Sequence, residues 1–184
     1  MEILQEGEGE LIGWHDPDEN RKWVLKNKPR DLRDKRTSVS DAVRRFVRDG
    51  DFIAFGGFGH IRVPMALLYE IVRQERRGLV MAGKTGVHDI DILIGAGCVD
   101  KVEVAYAFGH EMRGLSPAGR RAVESGECEV VAEISNAGYQ WRFLAGMMGV
   151  PFVASRNMLG TDTLKKRACK VVKDPWSGKR VCLI

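Results

Sequence analysis

The chain has 184 residues, 44% of them hydrophobic, and a formal net charge of +4. This length fits one domain with an appendage, and the apolar fraction suffices for a sizeable core, which excludes disorder throughout. No apolar run reaches the roughly 20 residues of a membrane span, and the polar, acidic N-terminus lacks the pattern of a secretory leader, so no membrane partner is expected.

Residues 1–36 read as a charged extension. The first twenty carry seven acids and no Lys or Arg, and bases dominate from Arg21 to Arg48. A basic stripe can serve nucleic acid or an anionic cofactor, but aromatic residues do not interleave with it as a stacking surface requires. The plain reading is a solvated face beside an acidic tail, with no nucleic acid as partner. Trp14 and Trp23 imply that the extension packs on this domain or on another chain.

From residue 37 to 184 the pattern is that of a single α/β domain. Ser38 can cap a helix over 38–49, with Asp41 in the capping-box position and Val39, Ala42, Val43, Phe46 and Val47 at helical spacing. Gly50 suits its end. Residues 52–55 form a short apolar run, as in a buried parallel strand. Gly56-Gly57-Phe58-Gly59 comes next. Pro64 then suits the first position of a helix whose buried face is Leu67, Leu68, Ile71 and Val72.

Further strands are expected at 79–82, 102–107, 130–134 and 152–154, and helices at 89–94, 116–126 and 136–148. A last apolar run begins at Val181. A domain rarely finishes on such a strand, so the expectation is a truncated piece of a longer chain or a strand completed by a partner. The alternation predicts an α/β fold with an open, mostly parallel sheet and helices on both faces. Cys98, Cys128, Cys169 and Cys182 lie far apart with no C-x-x-C pair. That spacing argues against a zinc cluster or a disulfide framework and suits a cytoplasmic protein.

Two glycine patterns invite a functional reading. Gly78 to Thr85 fits G-x-x-x-x-G-K-[ST] letter for letter. The phosphate loop needs a flexible segment between a strand and a long helix, whereas Leu79, Val80, Met81 and Ala82 are strand residues and Gly86-Val87 interrupts a helix start. The expected structure is a buried strand and a turn at its carboxyl end, where Lys84 can neutralise an anion. Gly56-Gly57-Phe58-Gly59 follows a buried strand directly and precedes a helix. Its glycines permit positive φ and close backbone approach to a ligand.

At this loop a resemblance appears. Asp49-Gly50-Asp51-Phe52-Ile53-Ala54-Phe55-Gly56-Gly57-Phe58, with Pro64 five residues after Gly59, resembles the first signature of the class I coenzyme A transferases. Arg62-Val63-Pro64 resembles the A subunit of glutaconate-type enzymes more than the 3-oxoacid type, which has Gly where Arg62 stands. The likeness runs over about 38–165 and includes Asp91-Ile92-Leu93-Ile94-Gly95-Ala96-Gly97 and the stretch from Glu133 to Pro151-Phe152. It implies a NagB/RpiA-like fold and a hetero-oligomer of A and B subunits. It also implies ping-pong exchange of CoA between an acyl-CoA and a carboxylic acid through a glutamyl-CoA thioester. The nucleophilic glutamate would lie on the B subunit. Coenzyme A would be a substrate thioester, with no permanently bound cofactor.

Candidate site residues follow. Glu70, Glu75, Glu103, Glu124, Glu127 and Glu129 read as solvated charges. Glu133 ends the run Val130-Val131-Ala132 beside Ser135 and Asn136, at a strand's carboxyl end. It fits either a base with a pKa raised by burial or a cap on the next helix. Relatives of this family that open rings of CoA-linked diketones implicate an A-subunit glutamate that resembles it in position. Gly56, Gly57, Phe58, Gly59, His60, Arg62, Lys84, His110 and Asn136 complete the set for substrate and CoA. His60, His88 and His110 all fall at strand-to-helix turns, and no pair has metal-ligand spacing on a helix, so no metal is expected. Arg62 can pair with a substrate carboxylate through its planar fork. Three readings stand: the A chain of a CoA-transferase, a CoA-thioester-dependent hydrolase using Glu133, and a non-catalytic binding subunit.

Overall fold

The computed structural model describes residues 2–110, 114–167 and 169–184, apart from the side chain of His110. In chain order the elements are β1 (Ile3–Glu6), α1 (Pro17–Asn27), α2 (Val39–Phe46), β2 (Phe52–Ala54), α3 (Met65–Arg73), β3 (Leu79–Gly86), α4 (His88–Gly95) and β4 (Val99–Ala107). The short strands β5 (Gly109–His110) and β6 (Gly114–Leu115) follow, then α5 (Pro117–Ser125), β7 (Glu129–Glu133), α6 (Asn136–Met148), β8 (Ala154–Ser155), β9 (Lys170–Lys173) and β10 (Arg180–Leu183). They form two compact units, Arg36–Glu133 and Met1–Lys35 with Ile134–Ile184.

The unit Arg36–Glu133 is built on a four-stranded parallel sheet in the order β2-β3-β4-β7. Ser38 caps α2 by accepting from the Asp41 N–H at 3.0 Å, while its own hydroxyl donates to Asp41 Oδ2 at 2.7 Å. The sequence predicted a capping box with Asp in place of Glu; the Ser38 cap forms, but Asp41 meets the Ser38 hydroxyl rather than the Ser38 backbone N–H that a capping box engages. Pro64 stands one place earlier than predicted, at the N-cap of α3, and the helix starts at Met65. Val43, Leu68, Ile71, Ile90 and Leu93 from the helices pack with Leu79, Met81, Val102 and Val104 from the strands into one buried core. Leu67 is exposed and outside it.

Strand alternation puts a different row on the opposite face. Ala54, Ala82, Glu103 and Ala132 sit on one rung across all four strands. Glu103 is fully buried there. It is therefore not the solvated charge that its sequence neighbourhood suggested. Periodicity alone cannot separate a carboxylate in mid-strand from one on a surface.

The second unit holds an antiparallel sheet in the order β1-β9-β10-β8. The segment set apart by its composition contributes β1 to this sheet, with Ile3 opposite Val172. Trp14 Nε1 donates to Pro151 O at 3.1 Å, and Arg142 donates to Ile12 O. Trp23 on α1 is exposed. The apolar run at Val181 is paired within the unit on both sides, by β9 and by β8. Ser135 caps α6 by accepting from the Gly138 N–H at 3.0 Å, and Gly149 closes it in the left-handed region. Among the described residues no helix is long and apolar enough to cross a membrane.

Candidate functional site

Because β2, β3, β4 and β7 are parallel, their carboxyl ends share one edge of the sheet, where open α/β folds bind ligands. The loop after β2 folds back on that edge. Phe58 N donates to Ile61 O at 3.0 Å and Ile61 N to Phe58 O at 2.8 Å, closing a two-residue turn through Gly59 and His60. Gly59 N donates to Thr85 O at 3.1 Å, and Gly59 bridges Gly86 in the parallel sense. The glycine loop is thus fastened to the end of β3.

Its glycines are there for different reasons. Gly57 has φ +128°, and a Cβ there would lie 3.0 Å from Arg62 O. The fold itself demands glycine at that position. Gly56 carries no positive φ, and nothing lies within 4 Å of the place a Cβ would take. Folding makes no such demand there, whereas a molecule lying against the backbone would.

Backbone strain gathers at the same edge. Arg62, Thr85, Tyr106 and Phe108 have φ of 60°, 53°, 64° and 61°, in the region L side chains avoid. Glu75, which follows α3, shares this conformation. Left-handed non-glycine residues cost on the order of 1–3 kcal/mol each, and such strain concentrates where a site must be held in shape.

Lys84 and Arg62 bring positive charge to this edge. Lys84 Nζ lies 5.4 Å from the centre of the Phe58 ring, and Arg62 is exposed. Neither forms an ion pair among the described residues. His60 Nδ1 and His88 Nε2 are 2.9 Å apart, with ring centres 4.6 Å apart. Asp89, buried beside His88, accepts from the Val87 N–H at 2.9 Å. Burial pushes its carboxyl above the usual range, and hydrogen bonds from backbone N–H groups partly offset that.

Gly56, Gly57, Phe58, Gly59, His60, Arg62 and Lys84 therefore belong to one loop-and-strand edge. Glu133 ends β7, paired with Val104, and is exposed. It is not the buried base of the sequence reading, and the cap on α6 is Ser135 rather than Glu133. Asn136 belongs to the other unit, as the exposed first residue of α6. His110 pairs through its backbone with Gly114, and its side chain lies outside the described set. The Gly78–Thr85 pattern is no phosphate loop, since β3 runs through Gly83, Lys84 and Thr85 to Gly86. A Cβ on Gly83 would lie 2.5 Å from Ile90 Cδ1, so this glycine serves the packing of α4 on β3. No group of three or more His, Cys, Asp or Glu residues among those described is arranged to hold a metal ion.

Residues 36–179 match the family described as Coenzyme A transferase. The chain belongs to the coenzyme A transferase family. A protein of Archaeoglobus fulgidus without an assigned function is 59% identical over all 184 residues, which cover 41% of its own length. The A subunit of the 3-oxoadipate CoA-transferase of Pseudomonas knackmussii is 33% identical over 80% of this chain and 52% of its own. The IpdA chain of the cholesterol ring-cleaving hydrolase of Rhodococcus jostii is 32% identical over 83% of this chain and 52% of its own. Among solved structures, the decarboxylase AibA/AibB superposes with a TM-score of 0.72 at 28% identity, over 80% of this chain and 56% of that one. Glutaconate coenzyme A-transferase of Acidaminococcus fermentans gives 0.70 at 26%, over 80% and 52%. The chain spans about half the length of the curated relatives it matches.

In this transferase-family chain the sequence reading placed His60 and His88 each at a strand-to-helix turn but missed their pairing, since they stand 28 positions apart and only the strand-end topology joins them. It also missed Thr85, read in a turn beyond a strand ending at 82, and Tyr106, read as an ordinary strand residue, because left-handed φ leaves no mark in composition.

Proposed function

We propose that this chain is the A-subunit part of a heteromeric CoA-transferase that moves CoA between an acyl-CoA and a carboxylic acid of the glutaconate kind. The observation that carries this is the glycine loop fastened to the end of β3. Gly56 is open to an approaching molecule there, and Lys84 and Arg62 supply positive charge that no ion pair among the described residues neutralises. A thioester with its anionic CoA, and an acid bearing carboxylates, suit that surface. Family membership and the A-subunit names of curated relatives support the assignment.

The nucleophilic glutamate belongs to the B subunit under this reading, and the loop forms one wall of the shared site. CoA enters as substrate, not as a resident cofactor. Four buried free thiols suit a cytoplasmic setting. The test is reconstitution with a B-chain partner, an acyl-CoA and a panel of acceptor acids. Failure to transfer CoA to any acid in the complete complex removes the proposal.

A second reading is CoA-thioester-dependent hydrolysis or ring opening. It is favoured by the likeness to the IpdA chain and by the exposed Glu133 at the carboxyl end of β7. The two readings differ at one residue. Glu133→Gln abolishes the reaction if Glu133 is its base, and only weakens CoA transfer if the nucleophile is on the partner.

A further inference from the structure

The pair His60 and His88 is not explained by the glycine loop itself. The backbone already docks Gly59 on β3 through the Thr85 carbonyl and the bridge to Gly86. The imidazoles add a second, side-chain link between the same two segments, from the loop after β2 to the first residue of α4. Both rings are exposed, so burial does not force them together.

We propose that His60 and His88 act as one proton-sharing unit at the edge of the site, with His88 a positioning residue that sets the tautomer and ring orientation of His60. This rests on the proposed CoA chemistry in one respect only: His60 is among the residues assigned there to the substrate.

A neutral imidazole has one N–H and one acceptor nitrogen. A contact of 2.9 Å between His60 Nδ1 and His88 Nε2 needs one proton between them. If His60 Nδ1–H donates, His60 Nε2 is the ring's acceptor nitrogen. If His88 Nε2–H donates, His60 Nε2 bears the proton and is a donor. In either case the second ring nitrogen of His60 has a defined role, because the orientation of one ring edge dictates the state of the other.

The pair can also take up one extra proton and keep the bond, which is then charge-assisted. A proton accepted at His60 Nε2 moves the Nδ1 proton onto His88 Nε2, so charge is conserved and leaves through the second ring. Two extra protons leave no acceptor between the rings and break the link. Asp89, next to His88, is in electrostatic contact with it.

The test is nitrogen NMR of the imidazoles in the full chain, with His60→Asn and His88→Asn used for assignment. The expected result is a scalar coupling between His60 Nδ1 and His88 Nε2 and a single tautomer for His60. Absence of that coupling in the unsubstituted chain overturns the proposal, and this readout needs no variant that folds. In His88→Phe the tautomers of His60 should mix, and in His88→Asn, which keeps a donor and an acceptor, one tautomer should return. An unchanged His60 tautomer and titration curve in His88→Phe also overturns it. In the assembled enzyme the pH profile of kcat/KM should shift in His88→Phe and also in His88→Asn, which keeps a hydrogen bond but cannot take up a proton, and an unmoved profile counts against the pair. The NMR arms need no acyl-CoA. Their failure leaves the CoA-transferase reading intact, and a lack of CoA transfer leaves them intact.

Discussion

Thr85 and Tyr106 stand at neighbouring positions on adjacent parallel strands, both left-handed, with φ of 53° and 64°. The rungs pairing Lys84 with Ala105 and Gly86 with Ala107 bracket them. Two strands thus leave regular geometry together, and the Thr85 carbonyl turned out there receives the Gly59 N–H. Replacing Thr85 by glycine removes the clash of a β-branched residue with its own backbone. Thr85→Gly should stabilise the chain by about 1 kcal/mol in urea unfolding and lower turnover in the assembled enzyme, because the glycine loop loses its rigid seat. A loss of stability would show that the φ at Thr85 carries no strain.

The glycine loop yields a paired prediction. Gly57→Ala puts a methyl group 3.0 Å from the Arg62 carbonyl on a backbone at φ +128°. It should cost about 1 kcal/mol or more in unfolding experiments. Gly56→Ala meets no atom within 4 Å and should leave stability within about 0.5 kcal/mol of the parent. Its effect should fall on acyl-CoA binding, measured by calorimetry with the complex. Equal binding by parent and Gly56→Ala would show that nothing approaches the backbone there.

Gly83 is a packing residue. Gly83→Ala should destabilise by about 1–3 kcal/mol, since the methyl group meets Ile90 Cδ1 at 2.5 Å. Ile90→Val in the same chain removes that terminal carbon and should recover part of the loss. Calorimetry with ATP and magnesium should give no heat of binding. A phosphate loop would bind the nucleotide and would tolerate no such rescue.

How much of this was readable in advance depended on how local each feature is. The Ser38 cap of α2 and the helix at 136–148 were legible, because each signal lies within a few residues of what it shapes, although the cap on α6 fell to Ser135 and not to Glu133. The strands β1 and β9 were not. Lys170–Lys173 has only two apolar residues between lysines, and its partner at Ile3 lies at the other end of the sequence. The candidate site shows the same division. The glycines and Arg62 could be read in place, but the docking on Thr85 and Gly86 and the meeting of His60 with His88 are products of parallel topology.

Cys128 gives a prediction in pH. Burial first, then the charges of Asp100 and Glu129, push its thiol up from 9.0 to about 11. The folded value is raised, so its contribution to stability is fully present below 9.0 and is lost as pH rises through about 11. At pH 8 the native chain should resist alkylation at Cys128, read by mass spectrometry after a timed exposure to iodoacetamide, and label readily in denaturant. Native labelling as fast as denatured labelling would contradict the burial.

The central claim is that the carboxyl edge of the parallel sheet, from Gly56 to Arg62 with Lys84, handles an acyl-CoA. Its most direct measurement is the exchange of labelled carboxylic acid into acyl-CoA by this chain assembled with the proposed B subunit, compared with the Lys84→Ala and Arg62→Ala assemblies. The expected result is exchange that falls roughly tenfold or more in each variant, as for loss of a hydrogen-bonded charge worth about 1.5–3 kcal/mol. Exchange at the parental rate in both variants would contradict it.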